Sequence, residues 1–309
     1  MLEQQPRITV VGSFVAGLTL RAERFPVQGE TLLGRDFDLG PGGKGSNQAV
    51  QAARLGAHVE FVACLGQDDF GAIGAKLYGD ETVGTTHLRR TNERNTGVAF
   101  IVLDARGDNF IVLDPGANSL LSPQDVEGAR ATIQNSHVVL TQLEIPLETA
   151  ARALQLARQE NAISILNPAP ARHVPPEILS CADIVTPNET ELRILLGRAP
   201  DEQVDALHLC EELIKLGVLR VILTRGARGA MIVTKDGYLN VPTFEVEIVD
   251  TTGAGDAFNG TLAYYLASGV PLEPAVRCAV AAGALACTKL GVIPALPRKS
   301  EIERLLTGS

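Results

Sequence analysis

The 309-residue sequence lacks the features that mark several classes of protein. Its five cysteines include no CxxC pair and are odd in number, which favours free, mostly buried thiols in a reducing compartment over disulfides or a zinc site. No apolar run reaches the length of a membrane-spanning helix. The sequence begins MLEQQPRITVVGS, where an acid and a proline precede a short apolar run, so we expect no signal peptide there. These absences predict a soluble, cytoplasmic protein.

The chain also lacks an excess of basic residues. Lysine and arginine total 27 against 36 aspartates and glutamates, which gives a formal net charge of -9. Because such a surface does not attract a phosphate backbone or an anionic lipid layer, we expect neither a nucleic acid nor a membrane as partner. A local pocket for one small anion remains compatible with this balance.

Three familiar motifs are missing as well. The first apolar run leads into VVGSFVAG rather than the GxGxxG of dinucleotide oxidoreductases, and no GxSxG supports a serine hydrolase. The glycine-rich loop GPGGKGSNQA is not a Walker P-loop, because Lys44 is followed by Gly45 and the required upstream glycine is replaced by Asp38. Four glycines among six residues suit either a ligand loop or a tight turn at a close-packed helix start.

Strand-like and helix-like segments alternate along most of the chain. The alternation predicts an α/β fold with a doubly wound, mostly parallel sheet and helices on both faces. It includes one helix over 123–133 and one strand over 182–189. The segments 13–40 and 97–114 fall outside the alternation, the second as a β-hairpin. We predict that these two segments form a small β-sheet lid on a single domain spanning 1–309.

Polar residues and glycines follow successive predicted strands. Ligands of open α/β sheets bind beyond the carboxyl ends of the strands. Those ends hold Glu144, Asn167, Asn188, Glu189, Glu191, Thr224, Gly226, Gly229, Asp250 and Asp256. Chance can place any one of them, but their recurrence at successive strands predicts one site along one edge of the sheet.

The stretch VDTTGAGDAFNGTLAYYL predicts a loop that opens into a helix. Free N–H groups and a partial positive charge make helix N-termini attractive to anions. Asp256 in the first turn is compatible with simple stabilisation of the helix start, worth roughly 0.3–1 kcal/mol. Gly253 and Gly255, however, remove two side chains from the mouth and leave backbone N–H groups free for an outside anion. An aspartate at the rim of such a mouth can accept the proton of a hydroxyl that attacks a phosphoryl group.

Taken together, these motifs resemble ribokinase and the wider PfkB carbohydrate-kinase family over nearly the whole chain. The matching stretches are GGKGSNQA at 42–49, TQLE at 141–144, LNPAPA at 166–171, TPNETE at 186–191, LTRGARG at 223–229 and DTTGAGDAFNG at 250–260. The first and last of these, in this order, are a specific signal. The resemblance implies an ATP-dependent kinase that uses Mg²⁺ to phosphorylate a primary hydroxyl of a pentose-like sugar. It also implies a doubly wound fold with a β-sheet lid that pairs into a homodimer.

The resemblance further implies roles for single residues. Asp256 matches the base that takes the sugar proton, and the backbone of Gly253, Ala254 and Gly255 matches the anion hole for the phosphoryl group. The matching sugar contacts are Gly42, Gly43, Lys44, Asn47, Glu144 and Asp256. The matching ATP contacts are Asn188, Thr224, Arg225, Gly226, Ala227, Arg228, Gly229, Gly255 and Val280. Glu191 matches a residue that holds Mg²⁺ through water, and a K⁺ loop is matched by Asp250, Thr252, Ala286, Lys289 and Gly291.

Several positions depart from the family pattern. Ribokinases read roughly GSxNxD after the first strand, with the Asn and Asp facing sugar hydroxyls, whereas Val15 and Gly17 stand there in this chain. Losing a carboxylate–hydroxyl pair costs on the order of 1.5–3 kcal/mol, so D-ribose is not assigned as the substrate. A deoxy sugar, a bulkier sugar and a nucleoside all stay open, and Thr19 is a substitute polar group if the strand continues. At the K⁺ loop, Ala295 replaces a hydroxyl residue.

The main alternative to a kinase is a sugar- or nucleotide-sensing protein of the same fold without catalytic activity. The intact Asp256, Gly253 and Gly255 argue against it, because a sensor has no need of a base. Release of ADP on a panel of sugars distinguishes the two.

Overall fold

The structure, a computed structural model, describes residues 5–106 and 108–308. Thirteen strands lie in these residues: β1 (Arg7–Val11), β2 (Val15–Arg21), β3 (Arg35–Gly42), β4 (His58–Gly66), β5 (Leu88–Thr91), β6 (Gly97–Leu103), β7 (Asn109–Asp114), β8 (Val138–Thr141), β9 (Ile163–Leu166), β10 (Ile184–Val185), β11 (Arg220–Thr224), β12 (Ala230–Thr234) and β13 (Gly237–Val241). They divide into a nine-stranded sheet and a four-stranded sheet.

Eleven α-helices accompany the strands in the same described residues. They are α1 (Lys44–Arg54), α2 (Asp69–Asp80), α3 (Pro123–Gly128), α4 (Arg130–Gln134), α5 (Leu147–Gln159), α6 (Pro176–Leu179), α7 (Glu189–Leu195), α8 (Ala206–Lys215), α9 (Ala254–Ala267), α10 (Leu272–Ala286) and α11 (Lys299–Thr307). Most follow a strand directly, as the alternation in the sequence predicts.

The large sheet is mostly parallel, and its strands stand in the order β13-β12-β11-β10-β9-β8-β1-β4-β5. Its antiparallel pairs in the described residues are β11–β12 and β12–β13. Its two faces support separate cores, because successive side chains of a strand point to opposite sides. On β4, Phe61 packs in the core that includes α1, α9 and α10, whereas Val62 packs in the core that includes α5 and α8. The predicted doubly wound α/β fold is thereby confirmed.

The four-stranded sheet has the order β3-β2-β6-β7 and is built by the two segments that fall outside the alternation. Its inner pair, β2 and β6, is parallel, and both outer pairs are antiparallel. In-register partners share a face, so two faces can be assigned from the pairing. The outer face carries partly exposed apolar side chains, namely Leu20, Leu39, Phe100, Phe110 and Val112. The other face, which we call the inner face, carries Val15, Gly17 and Thr19.

Two predicted elements differ from the structure. The predicted helix over 123–133 is divided into α3 and α4, because the backbone leaves helical geometry at Ala129, directly after Gly128. Of the predicted strand over 182–189, only Ile184–Val185 form a regular strand, since Pro187 has no N–H to donate and Asn188 already caps α7. The short elements β5, α6 and α11 were not predicted.

The cysteines are all free thiols. Cys64, Cys210 and Cys278 are buried, and Cys181 and Cys287 are partly buried. In the ranges that the structure describes, no helix has the length and the hydropathy to cross a bilayer.

Candidate active site

Glycines let α1 start in direct contact with the backbone that leaves β1. A Cβ on Gly45 would lie 2.5 Å from the amide nitrogen of Ser13 and 2.7 Å from Cα of Gly12. Gly43 has a φ of +91°, and a Cβ there would lie 2.8 Å from Cα of Phe14. The glycine run therefore does form the tight turn at a close-packed helix start that its sequence allowed.

Glu144 ties this turn to the end of β8. Its Oε2 accepts hydrogen bonds from the hydroxyl of Ser13 at 2.5 Å and from the backbone N–H of Lys44 at 2.9 Å. One carboxylate thus joins the segment after β1, the start of α1 and the segment after β8. This junction brings the predicted sugar contacts Lys44 and Glu144 together.

Asp256 lies in the first turn of α9 but turns its carboxylate towards α1. Its Oδ2 accepts a hydrogen bond from Nδ2 of Asn47 at 2.8 Å, and its Oδ1 accepts one from Nε2 of Gln48 at 2.9 Å. The residue is only 7% exposed, so it lies below the helix mouth. This position differs from the predicted one, which was on the rim of the mouth. Stabilisation of its own helix start does not explain these two contacts.

Burial and the neighbouring polar groups shift the pKa of this carboxyl in opposite directions. Burial raises the pKa of the Asp256 carboxyl above its ordinary value. The ammonium of Lys44 and the hydrogen bonds from Asn47 and Gln48 lower that pKa, but they do not cancel the effect of burial. The result is a carboxylate that binds a proton more readily than an exposed aspartate does.

Lys44 is the cation at the centre of three carboxylates. Burial alone would lower the pKa of its ammonium, but Asp256, Glu144 and Glu191 outweigh burial and the pKa is raised. Burial likewise raises the pKa of Glu191, against the opposing influence of the Asn188 N–H and of Lys44. The ammonium therefore stays charged and connects the acidic groups electrostatically.

A chain of buried amides surrounds Asp256. Nε2 of Gln48 also donates to Oδ1 of Asn167 at 3.0 Å, and Oε1 of Gln48 accepts from Nε2 of Gln142 at 2.6 Å. Asn167 donates in turn to the carbonyl of Thr186 at 3.2 Å. Asn167 is predicted as a strand end, whereas Gln48 and Gln142 are not among the predicted site residues, although they lie inside the motifs GGKGSNQA and TQLE.

The mouth of α9 is formed by bare backbone. Gly253 precedes the helix with a φ of +82°, and a Cβ there would lie 2.6 Å from Cγ1 of Val292. A Cβ on Gly255 would have no neighbour within 4 Å. Within the described residues, no hydrogen bond reaches the backbone N–H of Gly255 or of Asp256. The mouth thus has open space next to unpaired donors, which is the arrangement that binds anions.

Most of the residues predicted to contact the nucleotide follow the ends of β10 and β11. Asn188 caps α7, and its side chain and that of Glu191 exchange hydrogen bonds with each other's backbone N–H, both at 2.8 Å. Asn188 also forms an isolated parallel bridge with Thr224. Gly226–Arg228 form a short 3-10 turn. This edge therefore brings two predicted nucleotide segments next to each other.

The two arginines of that loop already have protein partners. Arg225 donates to Oδ1 of Asn240 at 2.7 Å, and Arg228 forms an ion pair with Glu189 at 2.5 Å. Val280, which like Gly255 is a predicted nucleotide contact outside this edge, lies buried in α10. Each arginine contact engages only one nitrogen of the guanidinium, and Nε of Arg225 is buried without a partner among the described residues, so both arginines keep donors for a phosphate.

Three residues of the predicted K⁺ loop, Asp250, Thr252 and Gly291, are joined by hydrogen bonds. Oδ1 of Asp250 accepts from the backbone N–H of Thr252 at 2.9 Å and from its hydroxyl at 2.7 Å, and Oδ2 accepts from the N–H of Gly291 at 3.2 Å. Ala286 ends α10, and Lys289 pairs with Glu301 at 2.9 Å. Asp250 therefore joins the segment before α9 to the segment after α10.

Val15 and Gly17, two of the departures from the family pattern, lie in the small sheet rather than at the end of β1. Val15 pairs with Gly42, so it lies directly beside the turn that leads to Lys44. Gly17 pairs with Gly40 and Ala99, and a Cβ on it would meet only the Gly40 carbonyl oxygen, at 3.6 Å. The strand continues past Thr19, as the sequence analysis supposed. The inner face thus has room at Gly17 for a larger side chain.

Comparisons with known proteins agree with this architecture. The ribokinase of Haemophilus influenzae is 38% identical over 294 residues, which cover 95% of this chain and 96% of that protein. The deoxyribokinase of Salmonella typhi is 34% identical over 301 residues, 97% of this chain and 98% of that one. The structure of Arabidopsis thaliana ribokinase complexed with ribose and ATP has a TM-score of 0.90 and 31% identity, and the match covers 99% of this chain and 100% of that one.

The family profile matches nearly the whole chain. The profile described as pfkB family carbohydrate kinase covers residues 5–299, which include both sheets and all the motifs quoted above. This range agrees with the resemblance that the motifs indicate. The chain therefore belongs to the pfkB family of carbohydrate kinases.

Proposed function

We propose that the protein is an ATP-dependent kinase that transfers the γ-phosphoryl group of ATP to a primary hydroxyl of a pentose-like sugar. The observation that carries the proposal is the buried Asp256 carboxylate, held by two amides beneath the open mouth of α9. The similarity to ribokinases over the full length of both chains supports it.

The proposed mechanism depends mostly on positioning and on electrostatics. In a loose phosphoryl-transfer transition state, charge spreads over the migrating group, and backbone donors aimed at that charge stabilise it. We assign that task to the N–H groups of Gly253, Ala254 and Gly255, of which that of Ala254 donates to the carbonyl of Thr251 at 3.3 Å in this structure. Asp256 accepts the hydroxyl proton, a contribution worth roughly 10²–10⁴-fold in rate. Burial suits it to this role because it raises the pKa of the carboxyl and so favours proton uptake, while Lys44 opposes that rise.

The sugar contacts follow from the junction around α1. We propose that Gly42, Gly43, Lys44, Asn47 and Glu144 bind the acceptor sugar beside Asp256. Asn47 supports this, because its Oδ1 is buried and has no hydrogen-bond partner among the described residues. A buried acceptor without a partner is costly unless a ligand hydroxyl satisfies it.

The nucleotide is proposed to lie along the ends of β10 and β11. There Asn188 and the segment Thr224–Gly229 face it, together with Gly255 and with Val280 of α10. Glu191 fits a Mg²⁺ held through water, because only one of its oxygens accepts a hydrogen bond and Mg²⁺ keeps several waters beside substrate phosphates. Bound Mg²⁺ would neutralise charge on the phosphates.

We also propose a K⁺ site in the loop pair joined by Asp250. Its donors would be oxygens of Asp250, Thr252, Ala286, Lys289 and Gly291. Carboxylate and carbonyl oxygens suit a hard cation, and the ion would add charge near the mouth of α9. We expect higher turnover in K⁺ than in choline at equal ionic strength, and equal turnover in both would count against this site.

The sugar itself is tested by a panel. We expect ADP release with at least one pentose when D-ribose, 2-deoxy-D-ribose, hexoses and nucleosides are compared with MgATP. A sensor would instead bind a ligand, raise its melting temperature and release no ADP. The relatives include both ribokinases and a deoxyribokinase, so both pentoses belong in the panel.

Gly17→Asp is expected to raise kcat/KM for D-ribose about tenfold, because a hydrogen bond to a charged group is worth about 1.5–3 kcal/mol. The structure has room there, since a Cβ on Gly17 approaches only the carbonyl of Gly40 at 3.6 Å. The matched control is Gly17→Ala, which fills space without adding a carboxylate. An equal change for both variants, or no change for either, would show that this position does not face the sugar hydroxyls.

We infer a homodimer formed through the outer face of the four-stranded sheet. The partly exposed apolar side chains on that face include Phe100 at 54% and Phe110 at 58%, a patch that an isolated monomer would leave in water. We expect Phe100→Lys to shift sedimentation from dimer to monomer. Tyr238→Lys, an equally exposed aromatic on the edge strand β13, is the control that should leave the dimer intact. A monomeric wild type at micromolar concentration would contradict this inference.

We also infer a cytoplasmic location. Five free thiols suit a reducing compartment.

A further inference from the structure

Gln48 is the most fully engaged side chain around Asp256. It is 0% exposed, its amide nitrogen donates to both Asp256 and Asn167, and its oxygen accepts from Gln142. Both amide hydrogens and the carbonyl oxygen therefore have partners from three other segments of the chain. Such a side chain cannot rotate without breaking several buried hydrogen bonds, so it has one orientation.

The two oxygens of Asp256 consequently have different surroundings. Oδ1 accepts from Gln48, whose amide group also has hydrogen bonds to Asn167 and Gln142. Oδ2 meets Asn47, whose own Oδ1 is buried and lacks a partner among the residues described. An unsatisfied acceptor on Asn47, the direct partner of Oδ2, marks that side as the one completed by a ligand. On the Oδ1 side, Gln48 itself has all its partners, and an unpaired acceptor, Oε1 of Gln142, lies one hydrogen-bonded residue further from Asp256.

We propose that Gln48 is a positioning residue that anchors Asp256 through Oδ1 and leaves Oδ2 to receive the proton of the sugar hydroxyl. The inference rests on the proposed function. As the sugar oxygen bonds to the γ-phosphorus, its O–H bond breaks and the proton moves to Oδ2. The bond from the γ-phosphorus to the bridging oxygen breaks at the same time, and its electron pair leaves with ADP.

The ionisation of Asp256 reports on this contact. The charged groups that face Asp256 are Lys44, which lowers the pKa of its carboxyl, and Glu144 and Glu191, whose carboxylates repel it. The hydrogen bond from Gln48 favours the ionised form, so removing it raises the pKa further. A protonated Asp256 cannot accept a proton, and the acid limb of kcat/KM therefore moves to higher pH without Gln48.

The test compares Gln48→Met with Gln51→Met. Gln51 is also 0% exposed and lies one turn further along α1, but it donates to the Thr261 hydroxyl and the Pro297 carbonyl and does not touch Asp256. Both variants lose a buried amide from the same helix, so both are expected to be less stable. If Gln48→Met does not fold, Gln48→Asn keeps an amide that is too short to reach Oδ1 and carries the same test.

The two readouts are the kinetics over a range of pH, measured with MgATP and the pentose that gives the higher turnover, and the titration of the Asp256 carboxyl in the free protein. We expect Gln48→Met to lower kcat on the order of 10²-fold with little change in KM, since misplacing a reacting group has about this cost. Its acid limb should move to higher pH. Carbon-13 NMR of the free protein with labelled aspartate should likewise show a higher pKa for the Asp256 carboxyl in Gln48→Met. The Asp256 signal is assigned because it is absent from Asp256→Asn. Gln51→Met should change neither readout.

The outcomes separate the inference from the proposed function. If Asp256→Asn abolishes turnover but Gln48→Met matches Gln51→Met in kcat and in the carboxyl titration, the role of Gln48 is wrong and the kinase mechanism stands. If Asp256→Asn turns over at the wild-type rate, the proton acceptor is wrong and this inference is overturned with it. A loss of kcat in Gln48→Met with an unchanged carboxyl titration would also overturn the inference.

Discussion

Asp256→Asn is expected to lower kcat by roughly 10²–10⁴-fold, the range that general-base catalysis contributes. The change is nearly isosteric, and the asparagine oxygen can still accept from one of the two amides that now bind the carboxylate. It also removes a buried charge, so we expect little loss of stability. Binding of MgATP and of the sugar, measured by calorimetry, should stay close to wild type while ADP release nearly stops.

Asp69→Asn is the matched control. Asp69 is also an acid in the first turn of a helix, α2, but it is exposed and lies outside the site. If Asp256 served only its helix start, both substitutions would cost roughly 0.3–1 kcal/mol of stability and neither would affect turnover. Wild-type turnover in Asp256→Asn would exclude this residue as the base.

Gly43→Ala is expected to have the largest effect on stability. Its φ of +91° is unfavourable for alanine, and the new Cβ would lie 2.8 Å from Cα of Phe14 and from the amide nitrogen of Val15. Backbone strain and overpacking each cost roughly 1–3 kcal/mol, so we expect a loss of roughly 2–6 kcal/mol in the free energy of unfolding. The collision also shifts the start of α1, and KM for the sugar should rise. Denaturant unfolding and initial-rate kinetics measure the two effects.

Gly56→Ala separates strain from collision. Gly56 lies just beyond the other end of α1 with a φ of +104°, but a Cβ there would meet nothing within 4 Å. It should therefore lose only the roughly 1–3 kcal/mol of backbone strain and keep its KM. Equal losses in both variants would mean that the contact of Gly43 with Phe14 and Val15 is unimportant.

The general architecture could be predicted because it depends on local pattern. Alternating apolar strands and amphipathic helices specify a parallel sheet covered on both sides, and the segments that break the alternation are those of the second sheet. The boundaries were less predictable. The break at Ala129 and the early end of β10 each depend on the local effect of one glycine or proline on the backbone. The periodicity of apolar residues carries no information about that effect.

The predicted residues came together at the strand ends, but the buried amide network was not foreseen. Gln48, Gln142 and Asn167 are brought together by α1, by the segment after β8 and by the end of β9, which are far apart in sequence. A glutamine in a helix is ordinarily read as exposed, since local pattern does not show which polar side chains meet across a core. For the same reason Asp256 was predicted to lie on the rim of the α9 mouth, whereas in the structure it is buried against α1.

The most direct test of the account is a crystal structure with MgADP, the acceptor sugar and aluminium fluoride as a mimic of the migrating phosphoryl group. The account predicts the fluoride at the mouth of α9, bound by the N–H groups of Gly255 and its neighbours. It also predicts the attacking hydroxyl about 2.6–3.2 Å from Oδ2 of Asp256. Fluoride bound elsewhere, or a sugar hydroxyl that faces any group other than Asp256, would contradict it.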